Sequence, residues 1–157
     1  GETFPLDGTW QIVFDQSNEG GAKQWVREEH FPREQTRDIA VPSCWELIEK
    51  DYEGVAYYRH AFKVPANWAG KTIRLHFDAV NFRSEVWLND TAVGVHEGGF
   101  TPFEFAVDWV NFSKSRCEWE TKINEPRPLP AGELCSLNDL LMIFCVLPFH
   151  VIQPMIF

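Results

Sequence analysis

Apolar and polar residues alternate along several short segments of the chain, and this period of two predicts half-buried β-strands. The clearest case is TIRLHFDA, in which Ile73, Leu75 and Phe77 face one way and the intervening polar residues face the other. Such a strand belongs to an antiparallel sheet with one face in the core and one in solvent. Further strands are predicted at residues 9–15, 38–42, 55–65 and 102–109.

A β-hairpin is predicted in SEVWLNDTAVGVH, residues 84–96. Its turn is Asn89-Asp90, a dipeptide whose residues tolerate positive φ angles. The predicted cross-strand pairs join Val86 and Leu88 to Val93 and Val95. This part of the chain is therefore predicted to form two neighbouring strands of one sheet, joined by a short polar turn.

Two longer connections separate the predicted strands. Residues 16–37 are polar and contain a glycine pair, so they predict a long irregular connection, and residues 43–54 predict a loop with one helical turn. No segment of the first 110 residues keeps a helical period. Short strands at close spacing, with Gly and Pro turns between them, predict an all-β fold: a β-sandwich or jelly roll of antiparallel strands.

The last part of the chain has a different pattern. EPRPLPAGEL packs three prolines and a glycine into ten residues, as linkers do. The apolar end LLMIFCVLPFHVIQPMIF is near the length of a membrane span. Pro148, His150 and Gln153 interrupt it, however, and these breaks favour a buried end over a membrane anchor. We therefore predict a β-sandwich domain over residues 1–110 and a divergent Pro-rich and apolar tail over residues 111–157.

Composition and charge exclude some partners. The 157 residues carry a net charge of -9, so the chain offers no positive surface to a phosphate backbone, and nucleic acid is not a predicted partner. Aromatic residues make up 15% of the chain and include seven Trp, which predicts aromatic core filling ahead of sugar stacking. The first residues, GETFPLDGTW, lack the basic and apolar regions of a signal peptide, and a soluble chain is expected.

Candidate chemistry is sparse. The cysteines have no C-x-x-C spacing and the histidines have no H-x-H or H-E-x-x-H spacing, so neither a metal site nor a cofactor is predicted. Glycoside hydrolysis needs two carboxyl groups on either side of the scissile bond. Glu46 beside Trp45 and Glu97 beside His96 stand in loops, but no pattern brings these two acids together. Mixed aromatic and polar loops favour sugar binding over catalysis, but the residues alone favour a third interpretation, in which these aromatic side chains only anchor loops and turns.

Three segments in order carry a resemblance to a known family: LDGTWQIVFD, VPSCWE and YEGVAYYRHAFKVPANWAGKTIRLHFDAVNFRSEVWLNDTAVGVHEGGFTPFEF. From about Leu6 to about Asp108 the chain resembles the N-terminal sugar-binding domain of glycoside hydrolase family 2, which includes β-galactosidases, β-glucuronidases and β-mannosidases. The most specific parts are the Tyr57-Tyr58-Arg59 cluster, the WLND hairpin and HEGGFTPFEF.

The resemblance implies a jelly-roll, galactose-binding-like β-sandwich that is itself non-catalytic. In the family the two catalytic glutamates of the retaining mechanism belong to a TIM barrel, so no catalytic residue carries over, and this chain alone is expected to be inactive. Its expected partners are a β-glycoside or the barrel domain; the alternative is a free-standing sugar-binding or interaction module with a hydrophobic tail. The candidate ligand or domain-interface residues are Trp45, Glu46, Tyr57, Arg59, His96, Glu97, Gly98 and Gly99.

After about Val110 the sequence departs from the family, which would continue with more strands. We therefore expect a sandwich that is incomplete at its C-terminal end, with an exposed sheet edge and part of its core uncovered. Our hypothesis is that the apolar end of the chain partly covers that gap.

Overall fold

A computed structural model of the chain describes residues 2–62, 66–68, 71–80, 83–89, 91–98, 101–108, 139–146 and 154–156. These residues form β-strands and short 3₁₀ helices, and the described ranges contain no α-helix. In chain order the strands are β1 (Phe4–Pro5), β2 (Gly8–Phe14), β3 (Arg37–Val41), β4 (Val55–Phe62), β5 (Thr72–Phe77), β6 (Arg83–Leu88), β7 (Thr91–Glu97), β8 (Phe103–Asp108), β9 (Asp139–Val146) and β10 (Pro154–Ile156). The 3₁₀ helices are Glu28–His30, Arg33–Gln35, Trp45–Leu47 and Ala66–Trp68.

The strands form two sheets. The four-stranded sheet has the order β1-β10-β5-β8, and the six-stranded sheet has the order β3-β2-β4-β9-β6-β7. Every neighbouring pair of strands is antiparallel. The predicted all-β sandwich of antiparallel strands is confirmed.

The core lies between the inner faces of the two sheets. Trp10, Ile12 and Tyr58 point inward from the six-stranded sheet, and Leu75 and Phe77 point inward from the four-stranded sheet. Each of these five side chains is at most 1% exposed. Because burial of a large apolar side chain stabilises a fold by about 1.5–3 kcal/mol, the alternating residues of the sequence account for most of the attraction between the sheets.

The predicted hairpin is confirmed as β6 and β7, but its register differs from the prediction. Asn89 has a φ of 48°, as the turn requires, and Leu88 pairs with Thr91. A bulge between Val86 and Trp87 then places Gly94, rather than a valine, opposite Val86. A Cβ at position 94 would overlap the ring of Phe105 on the other sheet, so only glycine fits where the sheets approach closely here.

Strand β9 corrects the expectation of an incomplete sandwich. It lies between β4 and β6 and pairs with all of Val55–Phe62 on one side and with Arg83–Leu88 on the other. The six-stranded sheet therefore has a continuous centre, not an exposed edge at β4 or β6. The short strand β10 similarly lies between β1 and β5.

Both of these strands come from the part of the chain for which the sequence predicted no strand. The run DLLMIFCV is apolar without alternation, so a period of two cannot identify it. We expected the apolar end to cover a gap in the sandwich from outside. Instead, part of it forms β9, a central strand of the sheet. The domain boundary at residue 110 stays a prediction, since residues 109–138 lie outside the described ranges. Within those ranges no helix has the length and hydropathy needed to cross a membrane.

Candidate functional site

The outer face of the six-stranded sheet is partly covered by the connection between β2 and β3. Val13 of β2 and Tyr57 of β4 point away from the main core, and Trp25 and Phe31 of the connection pack on them. All four side chains are buried. The polar segment that the sequence predicted as a long irregular connection therefore carries a second, smaller apolar cluster.

Asp15 holds the start of this connection in place. Its carboxylate accepts hydrogen bonds of 2.8 Å from the backbone amides of Glu19 and Gly20, and the side chain is buried. The turn brings the Gly20 backbone against the Tyr57 ring, where an added Cβ would lie 2.6 Å from Cε2 of Tyr57. A carboxylate that accepts two amide hydrogen bonds is a strong anchor, because charge-assisted bonds are stronger than neutral ones.

Arg59 fixes the next part of the connection to the sheet. Its guanidinium donates to both carboxylate oxygens of Glu28, at 2.8 and 3.0 Å from Nη2, and to Oε1 of Gln11 at 2.8 Å. The same group lies 5.7 Å from the centre of the Phe31 ring. Burial lowers the pKa of Arg59. These contacts occupy the guanidinium, so in this chain Arg59 ties the connection to β2 and β4.

Tyr57 stands two residues before Arg59 on the same outward face of β4. Its ring packs edge-on against Trp25, with centroids 5.4 Å apart, and only 3% of the residue is exposed. Burial raises the pKa of the Tyr57 hydroxyl, and the negative charges of Asp15 and Glu85 add to this effect. The phenol therefore stays protonated, as a hydrogen-bond donor rather than an anion.

A groove of about 290 Å³ opens beside Tyr57 on this face. One wall is the connection and the other is β6, which brings Glu85 and the half-buried indole of Trp87. Tyr57 and Glu85 flank the same position of β9, since both pair with Phe144. The described residues that line this outer groove are Gly20, Gly21, Gln24, Val26, Arg27, Tyr57, Glu85 and Trp87.

Trp45 and Glu46 lie elsewhere, in the 3₁₀ turn that follows β3. Trp45 is 0% exposed and packs edge-on against Phe14 and Tyr52, with centroids 5.9 and 5.7 Å apart. A side chain without exposed surface cannot stack on a sugar, so the structure gives Trp45 a core position. Glu46 accepts a hydrogen bond of 2.9 Å from Sγ of Cys44, whose pKa is raised, first by burial and then by this bond.

His96, Glu97 and Gly98 lie at the end of β7, the edge strand of the six-stranded sheet. The His96 ring stacks on Phe103 of the opposite sheet at a centroid distance of 3.9 Å. Glu97 accepts a 2.5 Å hydrogen bond from Arg83. Gly98 has a φ of 137°, a conformation that favours glycine. The segment thus turns β7 towards β8; Gly99 lies outside the described residues.

The structure therefore separates the candidates into three places. Tyr57 and Arg59 share one outward face, while Glu46 follows β3 at one edge of the sheet and Glu97 ends β7 at the other edge. Five strand spacings separate β3 from β7, which is roughly 24 Å. The two carboxyl groups of a glycosidase are only about 5–10 Å apart. This separation argues against Glu46 and Glu97 as a catalytic pair.

Sequence reasoning did not select the residues that complete the groove: Gln24, Arg27, Glu85 and Trp87. One signal was present, because Trp87 stands between Val86 and Leu88, which both face the core. A tryptophan at an outward position of a strand is unusual and marks a surface worth attention. In the described residues no group of three or more His, Cys, Asp or Glu side chains is arranged to bind a metal ion.

The two neighbouring glycines of the groove wall give a matched test of this packing. We expect Gly20→Ala to destabilise the fold by about 1–3 kcal/mol, because its Cβ would overlap Tyr57 and Trp25. Gly21→Ala should change stability by less than about 0.5 kcal/mol, since nothing lies within 4 Å of a Cβ there. Urea unfolding of both variants checks this, and equal midpoints would contradict the close contact at Gly20.

The chain is similar to known glycosidases and to one family model. Residues 48–118 match the model of the glycosyl hydrolases family 2 sugar-binding domain. The chain is 32% identical over 146 residues to a β-glucuronidase of Paenibacillus borealis, covering 88% of this chain and 24% of that protein. It is 29% identical to the β-glucuronidase of Mus musculus, over 90% of this chain and 24% of that protein. A β-galactosidase of Thermoanaerobacter pseudethanolicus is 44% identical over 59 residues, which are 38% of this chain and 8% of that protein.

Solved structures show the same fold. The crystal structure of Ruminococcus gnavus β-glucuronidase matches with a TM-score of 0.69 at 23% identity, over 92% of this chain and 21% of that chain. An apo structure of a β-glucuronidase from the same organism matches with a TM-score of 0.71 at 20% identity, over 99% of this chain and 28% of that chain. The chain thus spans about a quarter of the length of the Paenibacillus borealis and Mus musculus β-glucuronidases. Residues 48–118 of this chain thus match the sugar-binding domain of glycosyl hydrolases family 2, and the relatives and solved structures above are similar over most of the chain.

Proposed function

We propose that this chain is the non-catalytic, carbohydrate-binding and scaffolding part of a family 2 β-glycosidase. The observation that carries the proposal is the 32% identity to a β-glucuronidase over 88% of this chain, although the chain spans only 24% of that enzyme. The similarity is thus spread over the whole sandwich and is confined to one section of the relative. We infer that this section supports chemistry that is performed elsewhere in the protein.

The acidic residues of the described part support a non-catalytic role. Glu85 and Glu97 both pair with Arg83, at 2.9 and 2.5 Å. Glu104 pairs with His76 and Arg74, which hold the pKa of its carboxyl below the usual value. The general acid of a glycosidase needs the opposite, a raised pKa that keeps the carboxyl protonated near neutral pH.

The expected partners under this proposal are a carbohydrate and a catalytic barrel domain. A second candidate function is a free-standing sugar-binding or interaction module. The observation that favours it is the outer groove, which joins aromatic side chains to polar ones without help from another domain. The two functions differ in where the carbohydrate contacts lie: on this chain alone, or shared with a second domain.

A turnover assay tests the non-catalytic role. The full chain, at micromolar concentration, is incubated with nitrophenyl β-glucuronide and nitrophenyl β-galactoside. We expect no hydrolysis above the rate without protein, because Glu46 and Glu97 lie at opposite edges of the six-stranded sheet. The Paenibacillus borealis β-glucuronidase serves as the positive control.

Hydrolysis that follows the chain through purification, and that falls when Glu46→Gln and Glu97→Gln are combined, would overturn the proposal. A trace of activity that is unchanged by this double substitution and that disappears on further purification would instead come from a contaminating hydrolase.

A further inference from the structure

We propose that the outer groove binds one pyranose ring, which stacks on Trp87 and hydrogen-bonds to Glu85, Gln24 and Arg27. This inference deepens the proposed function, on which it rests, by giving the carbohydrate a place on this domain. That place is neither the Trp45 turn nor the His96 corner. The groove lies on the outer face of the six-stranded sheet, between β6 and the connection that follows β2.

The size of the groove fits a small ring. Its volume of about 290 Å³ is just below the roughly 300–1,000 Å³ that small-molecule sites span. One sugar ring is therefore a better match than an extended cofactor. The groove is open on one side, so the rest of a longer glycan has a path into solvent.

Trp87 supplies the apolar contact that a sugar needs. Trp87 is half-buried and packs at the margin of the cluster formed by Val13, Trp25, Phe31 and Tyr57. Packing of part of the indole holds the side chain in one orientation and leaves another part facing the groove. A pyranose presents a flat face of C–H groups, which an aromatic ring of this kind binds by dispersion and burial.

The polar groups around the indole suit hydroxyls rather than a strongly charged ligand. Arg27 and Glu85 bring one charge of each sign, so they cancel in the lining. Glu85 already pairs with Arg83 at 2.9 Å, and its side chain is 29% exposed. Arg27 lies 3.6 Å from Glu29 and is 50% exposed. Carboxylate and guanidinium groups accept from and donate to neighbouring sugar hydroxyls, whereas a phosphate would need a net positive lining.

The wall of the groove is held in a defined shape. Gln24 has a φ of 54°, a left-handed conformation that is uncommon for a residue other than glycine. Its amide donates to the Gly21 carbonyl at 3.2 Å, and the next amide, of Trp25, donates to the Gly20 carbonyl at 2.9 Å. A strained backbone conformation persists only where the surrounding contacts stabilise it. Such conformations cluster at ligand sites, where they hold a side chain in the position that the ligand requires.

The test is a titration of the full chain with methyl β-glucopyranoside, methyl β-galactopyranoside and methyl β-glucuronide, followed by saturation-transfer NMR. We expect at least one of them to bind with a Kd on the order of 1 mM, a strength typical of a ligand of this size. Trp87→Ala should weaken that binding about tenfold or more through loss of the stacking surface. Leu47→Ala, which removes an exposed apolar side chain far from the groove, should leave it unchanged.

A second variant keeps the proposal testable if Trp87→Ala folds poorly. Gln24→Gly removes the side chain at a position whose φ suits glycine, so folding should be retained while sugar binding weakens. If wild type, Trp87→Ala and Gln24→Gly bind the sugar equally well, the sugar binds outside the groove and the proposed site is wrong. The domain would then still be a sugar-binding domain. Absence of binding by the wild-type chain for all three sugars would also overturn the proposed site. The scaffolding role is judged separately, by the turnover assay.

Discussion

Removal of residues 139–157 is expected to abolish cooperative folding of the whole sandwich. The deletion takes out β9, which pairs with eight residues of β4 and six residues of β6 in the centre of the six-stranded sheet. Without it, the backbone groups of two strands lose their partners, and buried residues such as Tyr58 and Val86 face a gap. Domains are stable by only about 5–15 kcal/mol, so the loss of a central strand exceeds what the remaining contacts can offset.

Thermal unfolding by circular dichroism and size-exclusion chromatography check this prediction. The matched control removes only residues 154–157, which contain the short strand β10 between β1 and β5. This smaller deletion should lower the melting temperature but leave a sigmoidal transition. If the larger deletion melts like the full chain and is in the same oligomeric state as the full chain, β9 is not a member of the sheet in solution.

Trp45→Ala is expected to cost about 3–5 kcal/mol of unfolding free energy. Trp45 is fully buried against Phe14 and Tyr52, and replacement by alanine leaves a cavity that these rings cannot fill. For a domain of this length, such a change lowers the melting temperature by roughly 10 °C or more. A ligand-binding tryptophan at a surface would behave differently, because its loss would weaken binding and leave the melting temperature in place.

The control for this substitution is two residues away in the same 3₁₀ turn. Leu47 is 78% exposed, and Leu47→Ala should change stability by less than about 0.5 kcal/mol. Chemical unfolding of both variants gives the comparison. A Trp45→Ala variant that is as stable as the Leu47→Ala variant would show that the turn does not pack on β2 as described.

The strand that the sequence located most clearly, β5, has one face in the core and the other face towards solvent. Ile73, Leu75 and Phe77 are buried, while the residues between them are not, so the period of two is visible in the sequence of β5. The hairpin was located because Asn89-Asp90 favours a turn between two alternating segments, and Asn89 has the positive φ of such a turn. Its register was not predictable, because the bulge depends on the approach of Phe105 from the other sheet.

The groove could not be predicted, because it is made by tertiary contacts between distant segments. Gln24 and Arg27 belong to a polar connection, and Glu85 and Trp87 belong to a strand far along the chain. No sequence motif joins them; the hydrogen bonds of Asp15 and Arg59 fold the connection onto the sheet and so bring them together. Trp45 and His96 were candidates because they stand in mixed aromatic and polar segments. In the structure both side chains pack against other aromatic rings.

The position of β9 has a consequence for synthesis of the protein on the ribosome. Val55 pairs with Val146, and Phe62 pairs with Asp139. The partner strand of β4 is therefore synthesised more than 75 residues after β4 itself. Until that segment emerges, β4 and β6 have exposed edges that can pair with another nascent chain. Long-range pairing of this kind also slows folding, since the chain must close a large loop before the contact forms. Protection by chaperones during translation should therefore raise the yield of this protein more than it would for a domain built from neighbouring hairpins.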